Sequence, residues 1–222
     1  MQPPAALWGM LPPMPDVLAR PLALPVTVIL IASVTVVSVL GWVVRPLRDA
    51  LLLNPFRVRH GGQVHRLLTA GWVHGSASHL LVNMLSLYFF AEPALRVLGA
   101  TRFLALYISA VVLAFVPTTL RHMGNPGYNS LGASGATTAV MFSAVLLDPK
   151  MKLLVMFLPM PVPAALYALV YLAYSAWQSR RSAQEVNHDA HFAGAIYGVL
   201  FTYVFEPARV ESAMKSLMKS VL

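Results

Sequence analysis

The fourth apolar run in this chain, Ser134–Leu147, is 14 residues long and stops at Asp148-Pro149-Lys150. A helix of that length rises about 21 Å and cannot cross a hydrocarbon layer of about 30 Å. If the neighbouring runs span a membrane, this one has to begin below the surface, where irregular backbone persists only if it lines a water-filled cavity. The residue at that start is Ser134, within Asn129-Ser130-Leu131-Gly132-Ala133-Ser134-Gly135-Ala136.

The neighbouring runs do read as spans. The chain has 222 residues, 58% hydrophobic and 11% charged, which is more apolar surface than one soluble core can hide. Pro25–Val44 is 20 residues without a charge and lacks a small-x-small cleavage site before Arg45, so it is expected as a retained helix. A second span starts near His79 and continues to the interruption at Glu92-Pro93 and Arg96; a third covers Phe103 to about Leu120. Pro163 opens a fifth, to about Trp177, and the sixth runs from Asp189 to about Phe205. The fold class is an all-α polytopic membrane protein with six transmembrane helices.

Five regions lie outside that pattern. Residues 1–24 carry six prolines and are expected to be extended or disordered. From Arg45 to Ala77, prolines, glycines and charges interrupt an otherwise apolar segment, which is expected to lie in the interface with Trp72 as an anchor. Met151–Phe157 reads as an interfacial or re-entrant strand, and Gln178–Asn187 as a surface loop. The domain division is a tail at 1–24, a core at 25–206 and an amphipathic tail at 207–222, in which Val210, Met214, Leu217 and Val221 share one helix face. Arginine and lysine divide eight against eight between the two sides, so charge does not fix the orientation.

Composition also excludes chemistry. With no cysteine there is no disulfide, thiolate metal site or cysteine nucleophile. The net charge of +8 is scattered singly between apolar runs, which suits anionic lipid headgroups rather than nucleic acid. His74, His79 and His191 form no His-x-x-x-His pair and have no carboxylate cluster near them, so neither metal nor cofactor is expected.

Ionisable groups inside spans are costly and mark function. In Ala190-His191-Phe192-Ala193-Gly194-Ala195-Ile196-Tyr197-Gly198, His191, Gly194 and Gly198 share a face. Gly194-x-x-x-Gly198 lets another helix approach closely, and the small residues Gly132 and Gly135 around Ser134 suit it. That packing would bring His191 toward Ser134 as a base beside a nucleophile. Asp189, two positions from His191, falls on another face, so an Asp-His-Ser triad is not expected, and His188 reads as loop. His79 and Asn83 lie four apart on one stripe; they read either as a polar contact between helices or, with the Ser134 amide, as donors to the oxyanion of a tetrahedral intermediate.

Gly132-Ala133-Ser134-Gly135, Ala190-His191-Phe192-Ala193-Gly194 with Gly198, His79-Leu80-Leu81-Val82-Asn83 and Arg66 in a long first loop occur in the order found in rhomboid intramembrane serine proteases, which the chain resembles over about residues 25–206. The resemblance implies a Ser134 nucleophile and a His191 general base, and an oxyanion site of His79, Asn83 and the Ser134 amide. It implies a membrane-embedded first loop with Arg66 as a structural residue, and transmembrane protein substrates admitted near the second and fifth helices. It places the protein in a bacterial inner membrane, with the site opening away from the cytoplasm. The chain departs from the family in having His65 before Arg66, and Thr138 where well-known bacterial members carry an aromatic that stacks on the histidine. A Thr138 hydroxyl or a water is then expected to orient His191. The rival readings are a proteolytically inactive rhomboid-like protein that binds membrane clients, and a small transporter.

Overall fold

The computed structural model describes residues 23–154, 160–179 and 187–221. The proline-rich tail up to residue 22, part of the expected strand after Leu154 and most of the loop before Asn187 lie outside these residues. The chain begins with helix α1 (Ala23–Val43), then the short helices α2 (Arg45–Leu51), α3 (Pro55–Gly61) and α4 (Arg66–Thr69), the last running into a 3-10 turn at Ala70–Trp72. It continues through α5 (Ala77–His122), α6 (Ser134–Leu147), the strands β1 (Lys152–Leu154) and β2 (Pro161–Pro163), α7 (Ala164–Ser179), α8 (His188–Phe205) and α9 (Pro207–Val221). The strands form one antiparallel pair with Leu153 opposite Val162.

Helix α5 is two helices. Its 46 residues are broken at Gly99, whose φ of 71° and ψ of 167° are not helical. A straight helix would hold His79 and Arg121 roughly 60 Å apart. Instead, the His79 ring lies against Gly132, while Arg121 pairs with Asp189, two residues before His191. The chain therefore doubles back at Gly99, and the second and third expected spans are the two arms. The break falls between Arg96 and Phe103, the interval that separates the second and third expected spans. Pro93 stays inside the first arm, and Glu92 and Arg96 form an i,i+4 ion pair on its surface.

The two arms of α5 enclose α6, eleven of whose fourteen residues are buried. Leu87, Phe90, Leu95, Phe103, Leu106 and Tyr107 meet Val140, Phe142 and Val145 in one apolar core. The outer faces are apolar as well. On α8, Ile196, Leu200 and Val204 point outward, Val204 being 69% exposed, while Gly194, Ala195, Gly198 and Thr202 are buried. Helices apolar outside, with their smallest residues inside, are built for lipid, where close backbone approach replaces the hydrophobic effect as the source of association.

The segment from Arg45 to Ala77 folds as a compact unit on the side of Ser134. Arg66 is 3% exposed. Its guanidinium donates to the backbone oxygens of Asp49 (2.9 Å) and Leu52 (2.6 Å) and to Gln63 Oε1 (2.6 Å), which closes the loop on itself. Trp72 is not an anchor pointing to the interface. Its indole N–H donates to Ser33 Oγ on α1 (3.1 Å), and its ring stands edge-on against Tyr107. The same unit grips the chain ahead of α6: Leu53 and Ser130 exchange two backbone hydrogen bonds of 2.9 Å, and Gly132 N–H donates to Ala70 O at 2.9 Å.

Candidate active site

Ser134 is the first residue of α6, and its N-cap Ala133 supplies no side-chain cap. The first-turn amides of the helix, at the positive end of its dipole, are thus open to another acceptor. Gly132 arrives with φ +114°, and a Cβ there would come within 2.7 Å of His79 Cε1. So Gly132 does not pack against α8, as the sequence suggested for it, but against His79 of α5. It lets the His79 ring lie directly on the backbone leading to Ser134.

The close helix contact belongs to the other three glycines. A Cβ at Gly194 would overlap Gly135 O, one at Gly198 would overlap Ala139 O, and one at Gly135 would come within 2.5 Å of Ala114 Cβ. Helices α6 and α8 therefore touch backbone to backbone. One turn before Gly194, His191 points its Nε2 at Ser134 Oγ, 2.7 Å away. For Nε2 to accept from the hydroxyl, the proton of the neutral ring sits on Nδ1. Nδ1 is buried and has no hydrogen-bond partner among the described residues. The Asp189 carboxylate is committed to Arg121, at 2.6 and 2.9 Å.

Asn83, four residues after His79, donates from Nδ2 to the His79 backbone oxygen (2.8 Å), and its Oδ1 accepts from Thr137 Oγ1 (3.2 Å). Its amide is thereby turned with the nitrogen toward the His79 end of the stripe. His79 and Asn83 both border the start of α6, His79 through its ring on Gly132 and Asn83 through Thr137.

Four residues that the sequence did not single out for roles complete the surroundings. His74 is fully buried. Its Nε2 accepts from Ala133 N–H (3.2 Å), so its proton lies on Nδ1 and is donated to Ser38 Oγ (2.9 Å), which in turn donates to Trp72 O (3.0 Å). Burial, and secondarily the neighbouring His79 ring, push the His74 pKa down to about 3. His188 is not loop: it opens α8, is buried, and stands edge-on to His191 with ring centroids 5.6 Å apart. Asn187 caps α8 through its Oδ1, which accepts from Ala190 N–H (3.1 Å) and Thr118 Oγ1 (2.7 Å), while its Nδ2 donates to Ser130 Oγ (3.0 Å). Tyr171 of α7 stacks on His191 at 5.6 Å, and its hydroxyl lies 3.3 Å from Thr138 Oγ1. Thr138 therefore reaches the tyrosine instead of the histidine. Tyr171 carried no signal of its own, because an apolar helix rich in tyrosine reads as lipid-facing.

A helical membrane bundle with a serine and a histidine in hydrogen-bond contact at the head of its short central helix defines the class of protein to which this chain belongs. The Rhomboid domain matches residues 61–208, two thirds of the chain, and the chain belongs to the rhomboid family. It is 26% identical to RHOMBOID-like protein 12, mitochondrial, of Arabidopsis thaliana, over 68% of this chain and 50% of that protein. It is 31% identical to the human Presenilin-associated rhomboid-like protein, mitochondrial, over 63% and 38% of the two chains. Identity to Rhomboid protein 1, mitochondrial, of Saccharomyces cerevisiae is 28%, over 64% and 42%. The matches thus span half or less of the length of these relatives. All three are mitochondrial proteins, and this overturns the expectation, drawn from bacterial members, of a bacterial inner membrane.

Proposed function

We propose that this chain is an intramembrane serine endopeptidase that cleaves transmembrane protein substrates, and that it works in a mitochondrial membrane as its relatives' names state for them. The observation carrying the proposal is the 2.7 Å contact between Ser134 Oγ and His191 Nε2 at the start of α6, whose 14 residues are too few to cross a bilayer.

In the proposed reaction, His191 Nε2 takes the Ser134 hydroxyl proton as Oγ attacks the peptide carbonyl carbon. The carbonyl oxygen becomes an oxyanion, held by the Ser134 N–H with His79 and Asn83. The carbon–nitrogen bond breaks, and the proton on Nε2 passes to the departing amine. Water then attacks the acyl-serine ester with His191 again as base, releasing the carboxylate and restoring Ser134. Among the described residues no carboxylate reaches His191 Nδ1, which supports a dyad of Ser134 and His191. The substrate helix must unwind at the scissile bond to expose its carbonyl, so residues of low helix propensity are expected there.

The test is labelling by a serine-reactive fluorophosphonate, paired with cleavage of a panel of single-span substrates in proteoliposomes. The wild type should label and cleave, Ser134→Ala should do neither, and His191→Ala should lose cleavage and label slowly. A folded wild-type protein that neither labels nor cleaves would refute the assignment.

A further inference from the structure

On the reading that Ser134 and His191 form a catalytic dyad, something other than an acceptor on Nδ1 has to hold the imidazole in plane, since none of the described residues provides one. The surroundings of His191 supply it. The Asp189 carboxylate points away to Arg121. Nδ1 has no hydrogen-bond partner among the described residues. One ring faces the imidazole nearly parallel: Tyr171, at 5.6 Å and 29°. Offset stacking at such a separation is an attractive geometry for two π-systems. The tyrosine is itself held. Its hydroxyl lies 3.3 Å from Thr138 Oγ1, one turn beyond Ser134 on the buried face of α6. Its ring also stacks on Tyr167 at 6.4 Å and 18°.

We infer that Tyr171 is the positioning residue for His191, its ring fixing the imidazole plane so that Nε2 meets Ser134, with Thr138 holding the tyrosine in place. The orienting task that a carboxylate performs by hydrogen bonding in a triad is performed here by a ring face. It is supplied by a third helix: the nucleophile is on α6, the base on α8, and the support on α7. Displacement of α7 would withdraw the support while leaving the packing of α6 on α8 intact.

The test compares Tyr171→Ala, Tyr171→Phe, Tyr171→Leu and Thr138→Val with wild type. The readouts are the fluorophosphonate labelling rate of Ser134, kcat and KM on one single-span substrate, and the thermal unfolding midpoint. Tyr171→Ala and Tyr171→Leu should lower kcat and labelling about tenfold or more, with KM and the midpoint close to wild type, because a loosened base is a misaligned one. Tyr171→Phe keeps the ring face and should stay within about threefold, and Thr138→Val should fall between the Phe and Ala variants. Leucine fills the space without a ring face, so it carries the test if the alanine variant does not fold. Wild-type labelling with a leucine variant as fast as phenylalanine overturns the role of Tyr171 and leaves the protease reading standing. So does a phenylalanine variant as slow as alanine, since the stack would then not be what matters. Absence of labelling in the wild type overturns the protease reading instead.

Discussion

Replacing Gly132 by alanine probes the site through the backbone alone. Two costs combine at this position. At φ +114° an L-residue is strained, by about 1–3 kcal/mol. The new methyl would also stand 2.7 Å from His79 Cε1, so the ring has to retreat by about 0.7 Å to reach an ordinary contact of 3.4 Å. Retreat is obstructed on one side by His74, whose ring stands edge-on at 4.9 Å and is held at both nitrogens. Overpacking of this kind adds about 1–3 kcal/mol. A displacement approaching 1 Å of an oxyanion donor lowers turnover by roughly 10- to 100-fold. Two other glycines separate the terms. Gly62, at φ +64° with nothing within 4 Å of its Cβ, carries strain without the clash, and Gly124 carries neither. The assay is cleavage in proteoliposomes together with the unfolding midpoint followed by tryptophan fluorescence. Gly124→Ala should match wild type in both, Gly62→Ala should lose stability alone, and Gly132→Ala should lose both. A Gly132→Ala protein that cleaves within threefold of wild type would refute the claim that this glycine seats the His79 ring.

Other substitutions test the remaining contacts. Arg66→Ala leaves the Asp49 and Leu52 carbonyls without their donor, each at about 1–3 kcal/mol, and should lower the unfolding midpoint and open the segment from Arg45 to Ala77 to proteolysis; an unchanged midpoint would contradict the fold of this loop. Asn83→Ala should reduce kcat by about 10²- to 10³-fold with little change in stability if its amide receives the oxyanion, and a loss confined to stability would reduce Asn83 to a structural contact. His74 is folded in its neutral form, with a pKa lowered from 6.5 to about 3, so its contribution to stability is complete above pH 6.5 and is lost as the pH falls toward 3. The unfolding midpoint measured across that range should therefore fall less steeply in His74→Gln than in wild type, and equal slopes would show that His74 is not the titrating group.

Different parts of this architecture left different traces in the sequence. The meeting of α6 and α8 was legible because Gly194-x-x-x-Gly198 is a backbone-level signal: with no side chains in the way, spacing alone states which faces touch. The short central helix was legible because length against membrane thickness is arithmetic. The turn between the arms of α5 falls at Gly99, inside the interval between Arg96 and Phe103 that the sequence leaves between its second and third spans, while Pro93 stays helical. Neighbouring helices resupply the freed backbone group, whereas the φ of +71° at Gly99 requires glycine outright. His188 looked like loop because it follows a charged stretch, yet Asn187 caps the helix in front of it, and an asparagine followed by an apolar run is a start signal that was there to be read. Tyr171 and His74 could not be found by spacing at all. Their partners lie 20 or more positions away on other elements, and such contacts exist only once the bundle has closed.

The backbone contacts between α6 and α8 recur every four residues, Gly194 on Gly135 and Gly198 on Ala139, and a third step follows where the Thr202 and Ser143 hydroxyls share a hydrogen bond of 2.7 Å. Small residues let two helices come close, but they do not choose between one alignment and the next, since Gly194 would accept Ala139 as readily as Gly135. The third step makes that choice. Slid by one turn, about 5.4 Å, Thr202 would face Ala139 or Leu147 and keep only its bond to Gly198 O, while the Ser143 hydroxyl would lose its Thr202 partner. The same slide would carry His191 a full turn away from Ser134. A hydrogen bond about two and a half to three turns below the site thus works as the key to a ratchet, and it lets an otherwise featureless glycine track hold two groups on separate helices in register.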